Sequence, residues 1–114
     1  MAKPIDYVLC AAGSGQRFKD VGLEIPKALI KINGKTLLER SLYSIDFHAN
    51  DRLIIITQAK DHVKSNLKKN LEDTYPKLDI IWIEIKSHTS GQLATFFLAK
   101  NFLRPKLASV VIFN

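Results

Sequence analysis

Apolar runs and helical periods alternate along the chain, and that alternation predicts its elements. Ile5 to Ala12 (IDYVLCAA) has the length and composition of a buried strand and leads straight into Gly13-Ser14-Gly15. Leu29 to Ile32 forms a short extended piece, closed by an Asn33-Gly34 turn. A helix is expected from Thr36, because Thr36 and Glu39 have capping-box spacing while Leu38, Leu42 and Ile45 fall on one face. Leu53 to Thr57 (LIIIT) is an apolar run rich in β-branched residues and predicts a central strand. The next helix spans roughly Asp61 to Glu72, with Val63, Leu67 and Leu71 at four-residue spacing and lysines elsewhere. Asp79 to Ile85 (DIIWIEI) predicts another strand. Ser90 to Leu103 predicts a helix whose broad apolar face holds Leu93, Phe96, Phe97, Ala99 and Leu103. Ser109 to Phe113 (SVVIF) is the last expected strand.

The order β-α-β-α-β-α-β implies an α/β fold with a Rossmann-like, doubly wound parallel sheet, right-handed crossovers and helices on both faces. In such sheets ligands bind beyond the carboxyl ends of the strands, near the point where strand order reverses. The loops of interest are therefore those after residues 11, 57, 85 and 113, and glycines stand in the first and third of them.

Composition narrows the class. A chain of 114 residues, 46% hydrophobic and 25% charged, suits a single globular domain over residues 1–114 without disorder. The lone cysteine, Cys10, excludes an internal disulfide framework and any Cys-rich zinc module. No apolar stretch approaches the ~20 residues of a membrane span. Met1 to Pro4 lead into a strand-like run holding Asp6 rather than a signal-peptide core, so a soluble cytoplasmic protein without membrane contact is expected. The formal net charge of +6 suits a polyanionic partner. However, the lysines between Lys60 and Lys77 are interspersed with Asp61, Glu72 and Asp73, the pattern of a solvated helix face. No aromatic side chains interleave with them to stack bases, so nucleic acid is not the expected partner.

The chemistry concentrates after the first strand. In Ala11-Ala12-Gly13-Ser14-Gly15-Gln16-Arg17, the glycines let backbone N–H groups approach an anion, and Arg17 adds a planar, permanently charged fork for phosphate. Phe18 stands where the dinucleotide fingerprint requires a third glycine. Gly34-Lys35-Thr36 is not a phosphate-binding P-loop, because Leu29 occupies the place of its first glycine. Pro26-Lys27-Ala28-Leu29 follows, with Lys27 on a loop between apolar elements and available to the same phosphates.

Ala-Ala-Gly-x-Gly-x-Arg, then Pro-Lys, then Ile32-Asn33-Gly34-Lys35-Thr36-Leu37-Leu38-Glu39 resembles the nucleotidyltransferase family that makes nucleoside-diphosphate sugars and related activated alcohols. That family includes sugar-phosphate nucleotidyltransferases and the phosphocholine and methylerythritol-phosphate cytidylyltransferases. The resemblance extends over essentially the whole chain and implies the nucleotide-diphospho-sugar transferase type of sheet. It also implies a nucleotide site at Cys10, Ala11, Ala12, Gly13, Ser14 and Gly15, with Thr89, Ser90, Gly91 and Gln92 near the base. There Gly91 matches the family's glycine, while Gln92 stands where threonine is common, which leaves base identity open. As a local feature, Thr89 or Ser90 also serves as the cap of the following helix.

By the same resemblance, a sugar phosphate or similar small phosphorylated alcohol attacks the α-phosphorus of a nucleoside triphosphate, and pyrophosphate leaves. Arg17 would hold the leaving β,γ-phosphates and Lys27 would bridge the α-phosphate and the incoming phosphate. The family binds Mg2+ through an aspartate just after the fourth strand, and Val111-Ile112-Phe113-Asn114 stops short of such a residue. Asp6, Asp20 and Glu24 offer no clustered carboxylates, and His48, His62 and His88 have no ligand spacing. The chain is therefore expected to be the amino-terminal, nucleotide-binding part of a longer enzyme, truncated after the fourth strand and incomplete for catalysis. A last apolar strand left at an edge would invite a homo-oligomer or aggregation. The alternative reading is a non-catalytic nucleotide-binding α/β module.

Overall fold

The computed structural model describes residues 3–12, 25–86, 100–104 and 108–113. Strand β1 (Ile5–Cys10) is followed by a 3₁₀ turn (Lys27–Leu29) and a small antiparallel hairpin of β2 (Lys31–Ile32) and β3 (Lys35–Thr36). Helix α1 (Leu37–Leu42), strand β4 (Arg52–Gln58), helix α2 (Val63–Thr74), strand β5 (Asp79–Ile85) and strand β6 (Ala108–Phe113) complete it. The sheet is four-stranded, in the order β5-β4-β1-β6, and every pairing in it is parallel.

That order explains the sequence of its central strands. Each of β1 and β4 is paired on both sides and covered on both faces, so Val8, Leu9 and Leu53 to Ile56 are fully buried. A strand in that position has no solvent side on which to alternate polar residues. Side chains of one parity, Tyr7, Leu9, Leu53 and Ile55, join Leu38 and Leu42 of α1 and Val63, Leu67 and Leu71 of α2 in one cluster. The other parity, Val8, Cys10, Ala12, Ile54 and Ile56, forms a second cluster with Ile81, Ile83, Ile85 and Leu103. Thus α1 and α2 share one face. The helix expected over 90–103 to cover the other lies outside the described residues, except for its last turn. That turn, Lys100–Phe102, is 3₁₀ rather than α.

Two other boundaries differ from expectation. Leu29 ends a 3₁₀ turn instead of opening a strand, because its N–H is bonded to the Pro26 carbonyl at 2.9 Å and its side chain packs inward. The helix expected from Asp61 starts at Val63. A 3₁₀ turn over Ala59–Asp61 precedes it, and His62 between them is left-handed at φ 53°. Local spacing of apolar residues sees neither junction, since a 3₁₀ turn and an α turn present similar faces.

The capping box of α1 forms as its spacing predicts. The Glu39 N–H donates to Thr36 Oγ1 at 3.2 Å, and the Thr36 N–H donates to Glu39 Oε1 at 3.2 Å. With only six residues, α1 depends on this cap and on burial of Leu38 and Leu42 more than on its own propensity. Thr36→Ala is expected to lower stability by about 1 kcal/mol, read from chemical unfolding. An unchanged denaturation midpoint would count against that role.

Below the sheet's amino ends, Asp51 accepts from the Ile5 N–H at 2.8 Å and the His48 N–H at 2.8 Å, tying the start of β1 to the loop before β4. Tyr7, Phe47 and Tyr75 stack edge-to-face there, with centroids 5.0 and 5.4 Å apart.

Candidate functional site

The chain leaves β1 for β4 on one side and enters β6 on the other, so strand order reverses at β1. The carboxyl ends of β1 and β6 lie level, with Cys10 opposite Phe113. A doubly wound sheet opens its ligand crevice at such a point. Cys10 ends β1 here, and Ala11 and Ala12 follow it.

Cys10 is buried in the second apolar cluster, and burial pushes its thiol above the ordinary range. At neutral pH it is a thiol rather than a thiolate, which leaves its backbone as the part suited to a ligand. The Ala11 N–H makes a ladder bond to the Ile56 carbonyl at 2.8 Å. One residue further on, a side chain takes over from the ladder. Gln58 Nε2 donates to the Ala12 carbonyl at 2.5 Å, in a contact sealed from solvent. Leaving that carbonyl without a donor would cost about 1–3 kcal/mol. The sequence reading missed Gln58, although an amide closing an otherwise β-branched run (LIIITQ) is the signal that singles it out. Next to it Thr57 Oγ1 is buried with no hydrogen-bond partner among the described residues. The end of β4 therefore carries polar groups that strand formation alone does not require.

Lys27 opens the 3₁₀ turn that follows Pro26. Pro26 holds φ −53° and ψ 138°, an extended conformation suited to leading into that turn. The Ile30 N–H closes the turn on the Lys27 carbonyl at 3.2 Å, and the Leu37 N–H bonds the Ile30 carbonyl at 2.9 Å. Ala28 is buried in the cluster against which Ala11 packs, so the lysine's backbone is anchored to the same core as the end of β1. Of the residues read from sequence as the site, the structure thus places Cys10, Ala11, Ala12 and Lys27. Gly13, Ser14, Gly15, Arg17, Thr89, Ser90, Gly91 and Gln92 lie outside the described residues.

Two clefts open elsewhere. One of about 350 Å³ lies between the β2-β3 hairpin and α2, and another of about 440 Å³ lies under Phe47 and Tyr75 at the amino ends. Neither includes Cys10, Ala11, Ala12 or Lys27. The lysines of α2 line a shallow surface with Glu72 and Glu84, a mixed-sign arrangement. Among the described residues, no three His, Cys, Asp or Glu side chains stand together to hold a metal ion. No helix among the described residues is long and apolar enough to cross a membrane.

An open parallel sheet whose strand order reverses at its first strand defines the α/β class in which ligands bind beyond the carboxyl ends of the strands. Residues 7–112 match the MobA-like NTP transferase domain, and the chain belongs to that family. It is 31% identical over 98 residues to choline-phosphate cytidylyltransferase of Haemophilus influenzae, covering 86% of this chain and 40% of that protein. It is 28% identical over 100 residues to the bifunctional protein GlmU of Methanococcus maripaludis, covering 88% of this chain and 22% of that one. Among solved structures, the inositol-1-phosphate CTP transferase from T. maritima shares the fold, with a TM-score of 0.67 at 18% identity over 95% of this chain and 44% of that chain. The chain therefore spans less than half the length of these proteins.

Proposed function

We propose that this chain supplies the nucleoside-triphosphate-binding half of a nucleotidyltransferase, whose acceptor is a sugar phosphate or similar small phosphorylated alcohol. The observation that carries the reading is the anchoring of the Pro26–Leu29 turn in the apolar cluster that Ala11 borders at the end of β1. It ties the backbone of the motif's lysine to the core bordered by the end of β1, from which the phosphate-binding loop is proposed to start.

In the proposed reaction an oxygen of the acceptor phosphate forms a bond to the α-phosphorus. The bond from that phosphorus to the bridging oxygen of the β-phosphate breaks, and pyrophosphate leaves with the electron pair. Negative charge grows on the leaving group and spreads over the phosphoryl oxygens, so fixed cations accelerate the step by stabilising it. Lys27 bridges the α-phosphate and the incoming phosphate, and Arg17 holds the β- and γ-phosphates. Backbone from Cys10 to Gly15 lines the nucleotide, and Thr89 to Gln92 lie toward its base. Mg2+ belongs to this proposal for the complete protein, where it would neutralise phosphate charge. A cytoplasmic location follows from the same reading, since nucleoside triphosphates are available there.

Two of the similar proteins are named for cytidylyl or CTP transfer, which makes CTP the first nucleotide to test. The full-length protein is expected to release pyrophosphate from one of CTP, UTP, GTP or dTTP when given Mg2+ and a panel of sugar and alcohol phosphates. Binding of a nucleotide without pyrophosphate release would favour the non-catalytic module. Absence of binding to all four would overturn the proposal.

A further inference from the structure

We propose that Gln58 is a positioning residue for the triphosphate site, setting the direction in which the chain leaves β1. The inference rests on the reading of that loop as the phosphate cradle, and adds to it a residue outside the motif. The backbone ladder between β1 and β4 ends with the Ala11 N–H on the Ile56 carbonyl. Among the described residues no strand pairing continues past that point, and the Ala12 carbonyl is held by the Gln58 carboxamide. A trans peptide is planar, so fixing the carbonyl fixes the peptide plane through which the chain enters the glycine loop. Gln58 and Ala12 are both buried, so water does not compete for the bond.

Gln58 reaches this carbonyl because of register. Cys10 is level with Ile56, so residues two further along each strand, Ala12 and Gln58, are neighbours of the same parity. Both extend the second apolar face, where an aliphatic side chain would continue the packing of Ile54 and Ile56. A flexible glutamine is a poor choice for strand packing there, and its bond to the Ala12 carbonyl gives the position a use for it. Backbone N–H groups bind phosphate only when their planes are fixed beforehand, because reorienting a free loop opposes binding.

The experiment uses the full-length protein and titrates each nucleoside triphosphate by calorimetry, with thermal unfolding measured without nucleotide. Gln58→Met keeps the volume and removes the donor. It is expected to weaken triphosphate binding about tenfold. The loss should be equal for every base that wild type binds, since the loop contacts phosphates. Gln58→Glu keeps the shape but sets an acceptor against the carbonyl, and is expected to lose at least as much. Well below the unfolding temperature, a purely structural role would leave affinity unchanged. A variant that is less heat-stable yet binds triphosphate as wild type does overturns the inference. A loss confined to one base overturns it too. If wild type binds no triphosphate, the proposed function itself fails and this inference falls with it.

Discussion

Asp6→Asn should lower stability by about 3 kcal/mol, a displacement of at least ~10 °C in the thermal midpoint of a domain this size. The Asp6 carboxylate is fully buried on β1 and is held by two arginines from distant parts of the chain. Arg52 Nε lies 3.3 Å from Oδ1, Arg104 Nε donates to Oδ1 at 2.8 Å, and the Arg104 N–H donates to Oδ2 at 2.7 Å. Arg52 also donates to the Phe102 carbonyl, so the aspartate fastens the end of the β5–β6 connection to the amino ends of β1 and β4. Asparagine keeps an acceptor but removes the charge, leaving two arginines facing each other without a counter-charge between them.

The same group predicts an acid transition. Burial pushes the Asp6 carboxyl up, but the Arg104 hydrogen bonds and the charges of Arg52 and Arg104 outweigh it, so its pKa falls below the ordinary value. A carboxyl depressed on folding stabilises the fold fully above its unfolded pKa of about 3.9, and the contribution disappears as pH falls through the folded value. Wild type should therefore lose stability between pH 5 and acid faster than Asp6→Asn, which lacks the group. Parallel losses for both proteins, followed by circular dichroism against pH, would show that Asp6 is not the source.

Lys27→Ala, the second large effect, is expected to lower turnover of the full-length enzyme by about a hundredfold or more. Nucleotide affinity should change only a few-fold. The lysine is proposed to meet the α-phosphate where charge accumulates, so its interaction is stronger in the transition state than in the ground state. Its backbone is fixed by the Pro26 turn and by Ala28 in the core. The truncation therefore removes the charge while leaving the turn in place. Equal losses in kcat and in affinity, from steady-state kinetics and equilibrium titration, would make Lys27 a ground-state phosphate ligand instead.

How much of this was legible beforehand differs by element. The four sheet strands stand within a few residues of their expected ranges, because each is a β-branched or apolar run that has no other way to be buried. The capping box at Thr36 and Glu39 and the inward face of α2 were equally visible, since both depend on neighbours three or four residues apart. The 3₁₀ turns at Lys27–Leu29 and Ala59–Asp61 were not, because tight and ordinary helical turns share the same local spacing. Of the residues the sequence motifs named, Ala11 and the turn that carries Lys27 pack on one core, which appears only in the folded chain.

The sequence by itself determined the alternation of strands and helices, the parallel sheet that follows from it, and the family to which the motifs belong. The tertiary structure decided which polar residues act together. Asp6 meets Arg104 across 98 positions of chain, and Gln58 meets Ala12 across 46. Neither pairing has a periodic signature. Hydrophobic spacing records which face of an element turns inward, whereas the partner of a buried polar group depends on which strands become neighbours and in what register. Here that choice was made by the order β5-β4-β1-β6, which levels Ala12 with Gln58 and brings both arginines to Asp6.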